Sequence, residues 1–500
     1  MYMLRNPETL TRHTDRHTPS RQRARVRAAA GGMSTDTLLA VSVLGDPCPA
    51  SALGSDVLLH EHVCFDLTSR LRAASSADEA ALREEPITLE RLHVLREHAR
   101  ANAVALRTPP EEVLLRELAA LRAGRPPFSC TIVDISLDHA GRDPRALMSL
   151  SAAAGVHIVM AAGVSAEEVA RAHADEEAME LLTDRLVSEL TQGVSVSGAD
   201  AGVRCGLLVC SEECRVVRSS SIANDMTDDG RSARDATLRV LGQAQMRTGA
   251  PLLVPLPATL DESFGSGAVS CVSELVQRHG AIAAAIVIGH AQHLLATEGG
   301  RTALEELLAL GVSLCFDGLG NSWEVAGADA PRSEPRGGGG DGAGGKADDA
   351  MPLAETEVAR AIGALVAGGH ASQLLLSHSV ASRLQLATYG GAGLTHARRS
   401  LAPRLRRCGV AEEAVEGMLG GNAARLLCWW TPAAKGERLT RPWTCVGCDR
   451  SFVEAVNEAE ALPDDQPFYE KFERRYCSMH CLAAHRKANF AMPFACQPPA

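Results

Sequence analysis

The sequence predicts a (β/α)8 TIM barrel followed by a small C-terminal zinc-binding module. Eight short, continuously apolar runs occur between Leu38 and Trp430, and helical patterns separate many of them. Two cysteine pairs with metal-ligand spacing follow after residue 443. Apolar strands joined by helices are buried on both faces, as in a parallel sheet, and eight such strands indicate a closed barrel.

The strands and helices can be placed in chain order. The first strand ends just before His60, and the others are expected at residues 131–135, 156–160, 205–209, 251–254, 286–289, 312–316 and 373–377. A helix is expected to begin at Asp143-Pro144, because proline is favoured in the first turn. Further helices are predicted at residues 176–190, 234–248 and 302–310. The barrel domain is therefore predicted to span residues 38–430.

Composition excludes several classes of protein. The chain has 500 residues, 46% hydrophobic content and a formal net charge of -11, which argues against a general nucleic-acid binder. It contains no uncharged apolar run of about eighteen residues or more, so we predict no membrane span. The 15 cysteines are scattered and no secretory signal is evident, which predicts reduced thiols and a cytoplasmic location.

Three segments are predicted to lie outside the folded parts. Residues 1–37 form a disordered or targeting extension, and the arginines of residues 1–32 leave mitochondrial targeting open. Translation from Met33 would remove most of it. Residues 334–349 are rich in glycine and charge and lack apolar anchors, which indicates a flexible insertion in the barrel.

The most specific motif is His60-Glu61-His62 at the end of the first apolar run. Residues i and i+2 of a strand point to the same side, so His60 and His62 can offer two imidazoles to one metal ion. A strand end at the mouth of a barrel is the usual place for such a site.

At this point the chain resembles the phosphotriesterase-related proteins of the amidohydrolase superfamily. The resemblance rests on Leu58-Leu59-His60-Glu61-His62, Val287-Ile288-Gly289-His290 and Phe316-Asp317-Gly318-Leu319-Gly320. It continues through segments 43–45, 131–134, 141–143, 155–159, 248–251, 375–378, 389–391 and 420–427. It implies a barrel of the metal-dependent hydrolase type with two metal ions, usually zinc, whose bridging hydroxide attacks a phosphoester, lactone or amide.

The resemblance also implies six metal ligands, and this chain keeps His60, His62 and His290. The bridging carboxylate of strand four falls at Val209 or Cys210, the histidine of strand five at Pro255, and the aspartate of strand eight at Ser379. Without anionic side chains, two neighbouring dications would repel each other, and serine cannot accept a proton near neutral pH as aspartate does. The preferred interpretation is a non-catalytic or weakly catalytic binding or scaffold barrel that can still take a small-molecule ligand in its mouth.

One alternative retains activity. Cys210 as a thiolate, with His60 and His62, would form a mononuclear zinc site with an open position, and the barrel would hydrolyse an ester, lactone or phosphoester. A buried thiol that packs like a small apolar residue is the preferred interpretation of Cys210. Glu212 and Glu213 lie beyond the strand end and are expected to be solvated.

The second specific motif lies in residues 443–490, between a predicted linker at 431–442 and a tail at 491–500. Cys445, Cys448, Cys477 and Cys481 are the expected ligands of a structural zinc ion, with His480 or His485 as alternates. The arrangement resembles treble-clef zinc fingers. The module contains a cluster of basic residues, but acidic residues lie close to it in the sequence. The module is therefore predicted to bind a protein rather than nucleic acid. An adaptor that acts through this finger is a third hypothesis.

Overall fold

The computed structural model describes most of the barrel and parts of the C-terminal module. The described residues are 38–45, 47–196, 202–214, 216–217, 228–257, 264–320, 354–429, 440–445, 451–455, 469–471, 474–476 and 479–488. The predicted extension 1–37, the glycine-rich insertion 334–349, most of the linker 431–442 and the tail 491–500 lie outside them. The predicted domain boundaries therefore stay predictions.

The largest element is a parallel sheet of eight strands that follow one another in chain order. A short antiparallel pair, β1 (Ala40–Val41) and β2 (Pro47–Cys48), precedes it. The eight strands are β3 (Asp56–Glu61), β4 (Cys130–Asp134), β5 (His157–Val164), β6 (Cys205–Cys210), β7 (Leu252–Pro255), β8 (Ile286–Gly289), β9 (Ser313–Phe316) and β10 (Leu374–Leu376). Just beyond β10, the N–H of Ser379 donates to the carbonyl of His60 at 2.9 Å. The first and last strands therefore meet, and the predicted barrel is confirmed.

Helices follow most of the strands. They are α1 (Ala77–Ala81), α2 (Leu92–Glu97), α3 (Glu111–Arg122), α4 (Pro144–Ala154), α5 (Ala166–Ala172), α6 (Glu176–Thr191), α7 (Asp228–Thr248), α8 (Phe264–Gln277), α9 (Glu298–Leu310), α10 (Glu355–Ala367), α11 (Ala402–Arg407), α12 (Glu412–Glu416) and α13 (Asn422–Leu427). Helix α4 begins where the sequence predicts, because the Asp143 side chain accepts a hydrogen bond from the Ala146 N–H. None of the described helices is long and apolar enough to cross a bilayer.

Alternating side chains of the strands pack in two separate layers. Val57, Val133 and Val287 belong to the cluster that fills the barrel interior. Their sequence neighbours Leu58, Ile132 and Ile288 belong to the larger cluster beneath the surrounding helices. Both faces of each strand are therefore buried, which explains why the strands read as continuous apolar runs.

Strand β3 breaks this alternation just before the metal motif. Its pairing with β4 changes register between Leu58 and Glu61. Leu59 still belongs to the interior cluster, yet the next residue, His60, also faces other strand ends at the barrel mouth. The irregularity thus turns the His60 imidazole toward the mouth, where a regular strand would direct it toward the helices.

The C-terminal module contributes short elements. Strands β11 (Thr440–Thr444) and β12 (Ser451–Ala455) pair antiparallel, as do β13 (Tyr469–Lys471) and β14 (Arg474–Tyr476). Helix α14 (Met479–Lys487) follows the second pair.

Candidate functional site

Polar side chains lie close together at the carboxyl ends of the barrel strands. His60 lies near the end of β3, Glu212 follows β6, His290 follows β8, Asp317 follows β9 and Ser379 follows β10. This end of a (β/α)8 barrel is where active sites are built, because residues that are distant in sequence converge there. The whole candidate site lies within the described residues.

Asp317 connects the two best-placed histidines. One of its carboxylate oxygens accepts a hydrogen bond from His60 Nδ1 at 2.8 Å, and the other contacts His290 Nδ1. The N–H of His290 donates to both oxygens at 3.1 Å. Burial alone would raise the pKa of Asp317, but the charges and hydrogen bonds of His290 and His60 lower it well below its ordinary value.

This arrangement determines which ring nitrogens can bind a metal. A carboxylate only accepts hydrogen bonds, so the Nδ1 atoms of His60 and His290 carry protons, and metal binding would use their Nε2 atoms. His290 Nε2 lies 3.2 Å from Glu212 Oε1. One donor atom each from His60, Glu212 and His290 lies within 4.8 Å of the other two. Two carboxylate-oriented imidazoles and one carboxylate fit a single zinc ion.

Glu212 is also paired with Arg70, whose Nη1 lies 3.1 Å from Glu212 Oε2. Burial opposes the ionised form of Glu212, but Arg70 and His290 lower its pKa well below the ordinary value. Burial likewise opposes the charged form of His290, yet Asp317 and Glu212 raise its pKa to about 10. In the metal-free protein, His290 therefore carries a proton on each ring nitrogen, one directed to Asp317 and the other to Glu212. A metal ion must displace the proton on Nε2.

His62 lies at the same mouth but outside this three-residue cluster. Its Nδ1 is 2.9 Å from the Ser136 hydroxyl, and its ring centroid is 6.4 Å from that of His60. Burial, followed by the charges of Arg70 and His60, lowers the pKa of His62 well below its ordinary value. His62 is therefore neutral near pH 7 and offers an uncharged imidazole beside the site.

The premise that the mouth lacks anionic side chains is wrong. Glu212 was expected to be solvated, but only 30% of its side chain is exposed and both of its oxygens are engaged. The family resemblance assigns no metal-ligand role to Asp317, which the structure places between His60 and His290. An aspartate placed directly after the seventh apolar run, at the carboxyl end of a barrel strand, was the signal that could have identified it.

Cys210 lies away from His60 and His62. It packs in the outer cluster beneath the helices, and its thiol lies 3.7 Å from the carbonyl of Ser211. From Leu207 onward the side chains of β6 alternate, and Val209 faces the interior, so the next residue points outward. The three-ligand set of His60, His62 and Cys210 is not assembled, because strand alternation directs the thiol to the wrong side of the barrel wall.

Pro255 and Ser379 stand at the two other positions where the resemblance implies a metal ligand, and both lie at strand ends around the site. Pro255 ends β7 and pairs in register with Gly289. Ser379 has a positive φ of 52°, and its hydroxyl lies 3.4 Å from His60 Nε2. Its neighbour His378 points away from His60 and contacts Glu61 at 3.1 Å. Ser379 is thus held against the imidazole nitrogen that would bind a metal.

The described part of the C-terminal module contains some of the predicted zinc ligands. Cys445, Cys481 and His485 are buried, whereas His480 is exposed. The Tyr476 hydroxyl lies 2.9 Å from His485 Nδ1. Cys448 and Cys477 lie outside the described residues.

Comparisons with known proteins agree with this architecture. The family model described as "Phosphotriesterase family" matches residues 41–427, and the "Vms1-associating treble clef domain" model matches residues 440–493. An N-acetyltaurine hydrolase from Tetraodon nigroviridis is 24% identical over 76% of this chain and 95% of its own length. A phosphotriesterase-related protein from Nematostella vectensis is 25% identical over 72% of this chain and 90% of its own length.

Solved structures show the same fold. A resiniferatoxin-binding protein from Rhodobacter sphaeroides superposes with a TM-score of 0.60 at 28% identity, covering 80% of this chain and 100% of that one. The phosphotriesterase homology protein from Escherichia coli, complexed with phosphate in its active site, gives a TM-score of 0.52 at 16% identity, covering 75% and 99%. The sequence-based assignments of the barrel and of the treble-clef module are therefore confirmed. The chain belongs to the phosphotriesterase family and carries a treble-clef domain at its C-terminus.

Proposed function

We propose that the barrel is a metal-dependent hydrolase that uses one divalent ion, held by His60, His290 and Glu212, to cleave an amide or ester bond. The supporting observation is the convergence of the three donor atoms within 4.8 Å at the barrel mouth. Two imidazoles and one carboxylate form the ligand set of known single-zinc hydrolases, which leave a further position for water or substrate. A bound zinc ion would polarise a carbonyl oxygen and lower the pKa of a coordinated water.

The protein side chains would orient the site. Asp317 holds both Nδ1 atoms, so the Nε2 atoms of His60 and His290 face the position of the ion. The Ser379 hydroxyl, 3.4 Å from His60 Nε2, can hydrogen-bond a water or a substrate oxygen at the same place. It cannot take up a proton near neutral pH as the family's aspartate would, so we expect slow turnover.

A panel of substrates on the full-length protein tests the proposal. We expect about one metal ion per barrel and slow hydrolysis of at least one N-acetyl amide, aryl ester or lactone. Glu212→Gln should lose the barrel metal and the turnover together, because an amide oxygen is a weaker, uncharged ligand. Glu298→Gln, a change of the same kind at an 85% exposed side chain, should lose neither. Equal metal content and turnover in Glu212→Gln would contradict the proposal.

The charges at the mouth favour anionic substrates. Among the groups that contact one another at the proposed metal site, Asp317 and Glu212 carry two negative charges, and Arg70 with a divalent ion would outweigh these two by one positive charge. The side chain of Arg70 is 23% exposed, so part of the guanidinium faces solvent. Several relatives are named N-acetyltaurine hydrolase, and an acyl amide that carries a negative group would match this charge.

Arg70→Gln is therefore expected to raise KM for N-acetyltaurine about tenfold, since an exposed charge pair with substrate is lost. KM for the neutral analogue N-acetylethanolamine should stay within about twofold. Steady-state kinetics on both substrates measure the effect, with Arg301→Gln as a control at a 54% exposed side chain. An equal rise for both substrates would show that Arg70 acts by holding Glu212 rather than by recognising charge.

A second candidate is a barrel that binds ligands without catalysis. Pro255 and Ser379 favour it, because neither can replace the metal ligand expected at its position. Purified protein that retains the barrel metal and binds N-acetyltaurine, yet hydrolyses no member of the panel, would support this candidate over the hydrolase.

For the C-terminal module we propose a structural zinc ion bound by Cys445, Cys448, Cys477 and Cys481, with His480 or His485 as alternates. Burial of Cys445 and Cys481 supports this set, and burial of His485 makes it a better alternate than the exposed His480. The matching domain model is described as Vms1-associating, which supports a protein partner as the proposed role. An adaptor function through this module is compatible with either candidate for the barrel.

A further inference from the structure

Glu61 is the middle residue of the His60-Glu61-His62 motif, but it is not one of the three donors to the proposed metal ion. It ends strand β3, and its side chain is completely buried. The carboxylate reaches across the closure of the barrel to the segment that follows β10. Burial of a carboxylate is costly unless hydrogen bonds satisfy its oxygens, so the partners of Glu61 indicate what it does.

Both oxygens of Glu61 accept hydrogen bonds from the segment after β10. Oε1 accepts from the Ser377 hydroxyl at 2.7 Å, from the His378 N–H at 2.7 Å and from His378 Nδ1 at 3.1 Å. Oε2 accepts from the Val380 N–H at 2.8 Å. The Ala397 N–H donates to His378 Nε2 at 3.0 Å, so Nδ1 of that ring carries a proton. All four of these partners of the carboxylate are therefore donors.

These hydrogen bonds hold the residue that lies between His378 and Val380. Ser379 has a φ of 52°, in the left-handed region that is unfavourable for a residue with a Cβ atom. The N–H groups on either side of it, those of His378 and Val380, are each held by a different oxygen of Glu61. The Ser379 N–H itself donates to the carbonyl of His60 at 2.9 Å. An unfavourable backbone conformation persists where surrounding contacts impose it, and Glu61 supplies such contacts on both sides of Ser379.

The backbone conformation of Ser379 determines where its hydroxyl lies. The hydroxyl is 3.4 Å from His60 Nε2, the atom that would bind the metal ion. Rotation about the N–Cα bond of Ser379 toward the usual negative φ would carry the hydroxyl away from that position. We propose that Glu61 is a positioning residue, which holds the Ser379 hydroxyl beside the metal position through the two N–H groups that flank Ser379. This inference rests on the proposed role of Ser379 in hydrolysis.

Steady-state kinetics of Glu61→Gln in the full-length protein test the proposal. A glutamine amide has one oxygen and one NH2 group, so one of the flanking N–H groups would face a donor and the turn at Ser379 would relax. We expect kcat for N-acetyltaurine to fall about tenfold, because a displaced hydroxyl no longer meets the reacting atoms. KM should stay within about twofold, since the Arg70 guanidinium that would bind the anionic group is left in place.

Glu117→Gln is the matched control. Glu117 on α3 is also buried, and its carboxylate also accepts hydrogen bonds from a residue after β10, the N–H and hydroxyl of Thr388, both at 2.8 Å. This variant should lose stability as Glu61→Gln does, yet keep its kcat. In a Ser379→Ala background, Glu61→Gln should lower kcat no further, because the hydroxyl that it positions is absent. Additive losses in the double variant, or an equal loss in Glu117→Gln, would overturn the proposal.

Hydrogen exchange of the wild type provides a readout that needs neither a variant nor turnover. The amides of His378 and Val380 should resist exchange for hours, because a buried carboxylate accepts both of their hydrogen bonds. Rapid exchange of both amides would overturn the proposal even if Glu61→Gln fails to fold. If both amides are protected but the wild type hydrolyses no substrate of the panel, the proposed function fails, whereas the placement of Ser379 by Glu61 stands.

Discussion

Asp317→Asn is expected to lower the metal affinity of the barrel, and its turnover, by about 10- to 100-fold. The carboxylate of Asp317 accepts hydrogen bonds from Nδ1 of both His60 and His290. An asparagine offers one oxygen and one NH2 group, so one imidazole would face a donor instead of an acceptor. That ring must flip or rotate, and its Nε2 then no longer points to the ion. Competition with a chelating dye and initial-rate measurements quantify the two losses.

The control for Asp317→Asn is Asp78→Asn, which makes the same change at an exposed position in α1. Far-ultraviolet circular dichroism checks that both variants are folded. If Asp317→Asn binds metal as tightly as Asp78→Asn does, Asp317 does not orient the ligands and the single-metal site loses its basis.

The stability of metal-free protein should fall as pH rises from about 7 to 10, and His290 should be responsible for part of the fall. Burial opposes its charge, but Asp317 and Glu212 raise its pKa to about 10, above the ordinary 6.5. A raised pKa stabilises the fold fully below pH 6.5, and this contribution is lost as pH rises through about 10. The difference corresponds to at most about 5 kcal/mol for His290 with a pKa of about 10.

Urea unfolding of wild type and His290→Gln, both stripped with a chelator, measures this contribution. The free-energy gap between the two should be largest near neutral pH and should shrink toward pH 10. Loss of zinc from the C-terminal module affects both proteins equally and cancels. His93→Gln changes an exposed histidine and should show no such trend. A gap that stays constant with pH would show that His290 is neutral in the metal-free fold.

Much of the architecture follows from local patterns in the chain. Buried parallel strands need apolar side chains on both faces, so the eight apolar runs identify the barrel without any tertiary information. Helix α4 is predictable from Asp143-Pro144, because its capping aspartate lies next in sequence to its first residue. The cysteine spacing after residue 443 similarly indicates the treble-clef module, since the two cysteines of each pair lie close together in the sequence.

The candidate site could be only partly predicted. His60 and His290 were found because their motifs are contiguous. The roles of Glu212 and Asp317 depend on contacts between the ends of different strands, so in the sequence only the position of Asp317 directly after an apolar run indicates its role. Cys210 shows the opposite case, a residue that the sequence suggests and the structure excludes. The family resemblance places Cys210 at a metal-ligand position, but the alternation of side chains along β6 directs its thiol outward.

The sequence by itself thus determined the barrel fold, the C-terminal module and two of the histidines at the candidate site, His60 and His290. Each of these depends on periodicity or on residues close in sequence. The charge at the barrel mouth could be determined only from the folded protein. The carboxylates that carry it follow different strands and come together only when the barrel forms.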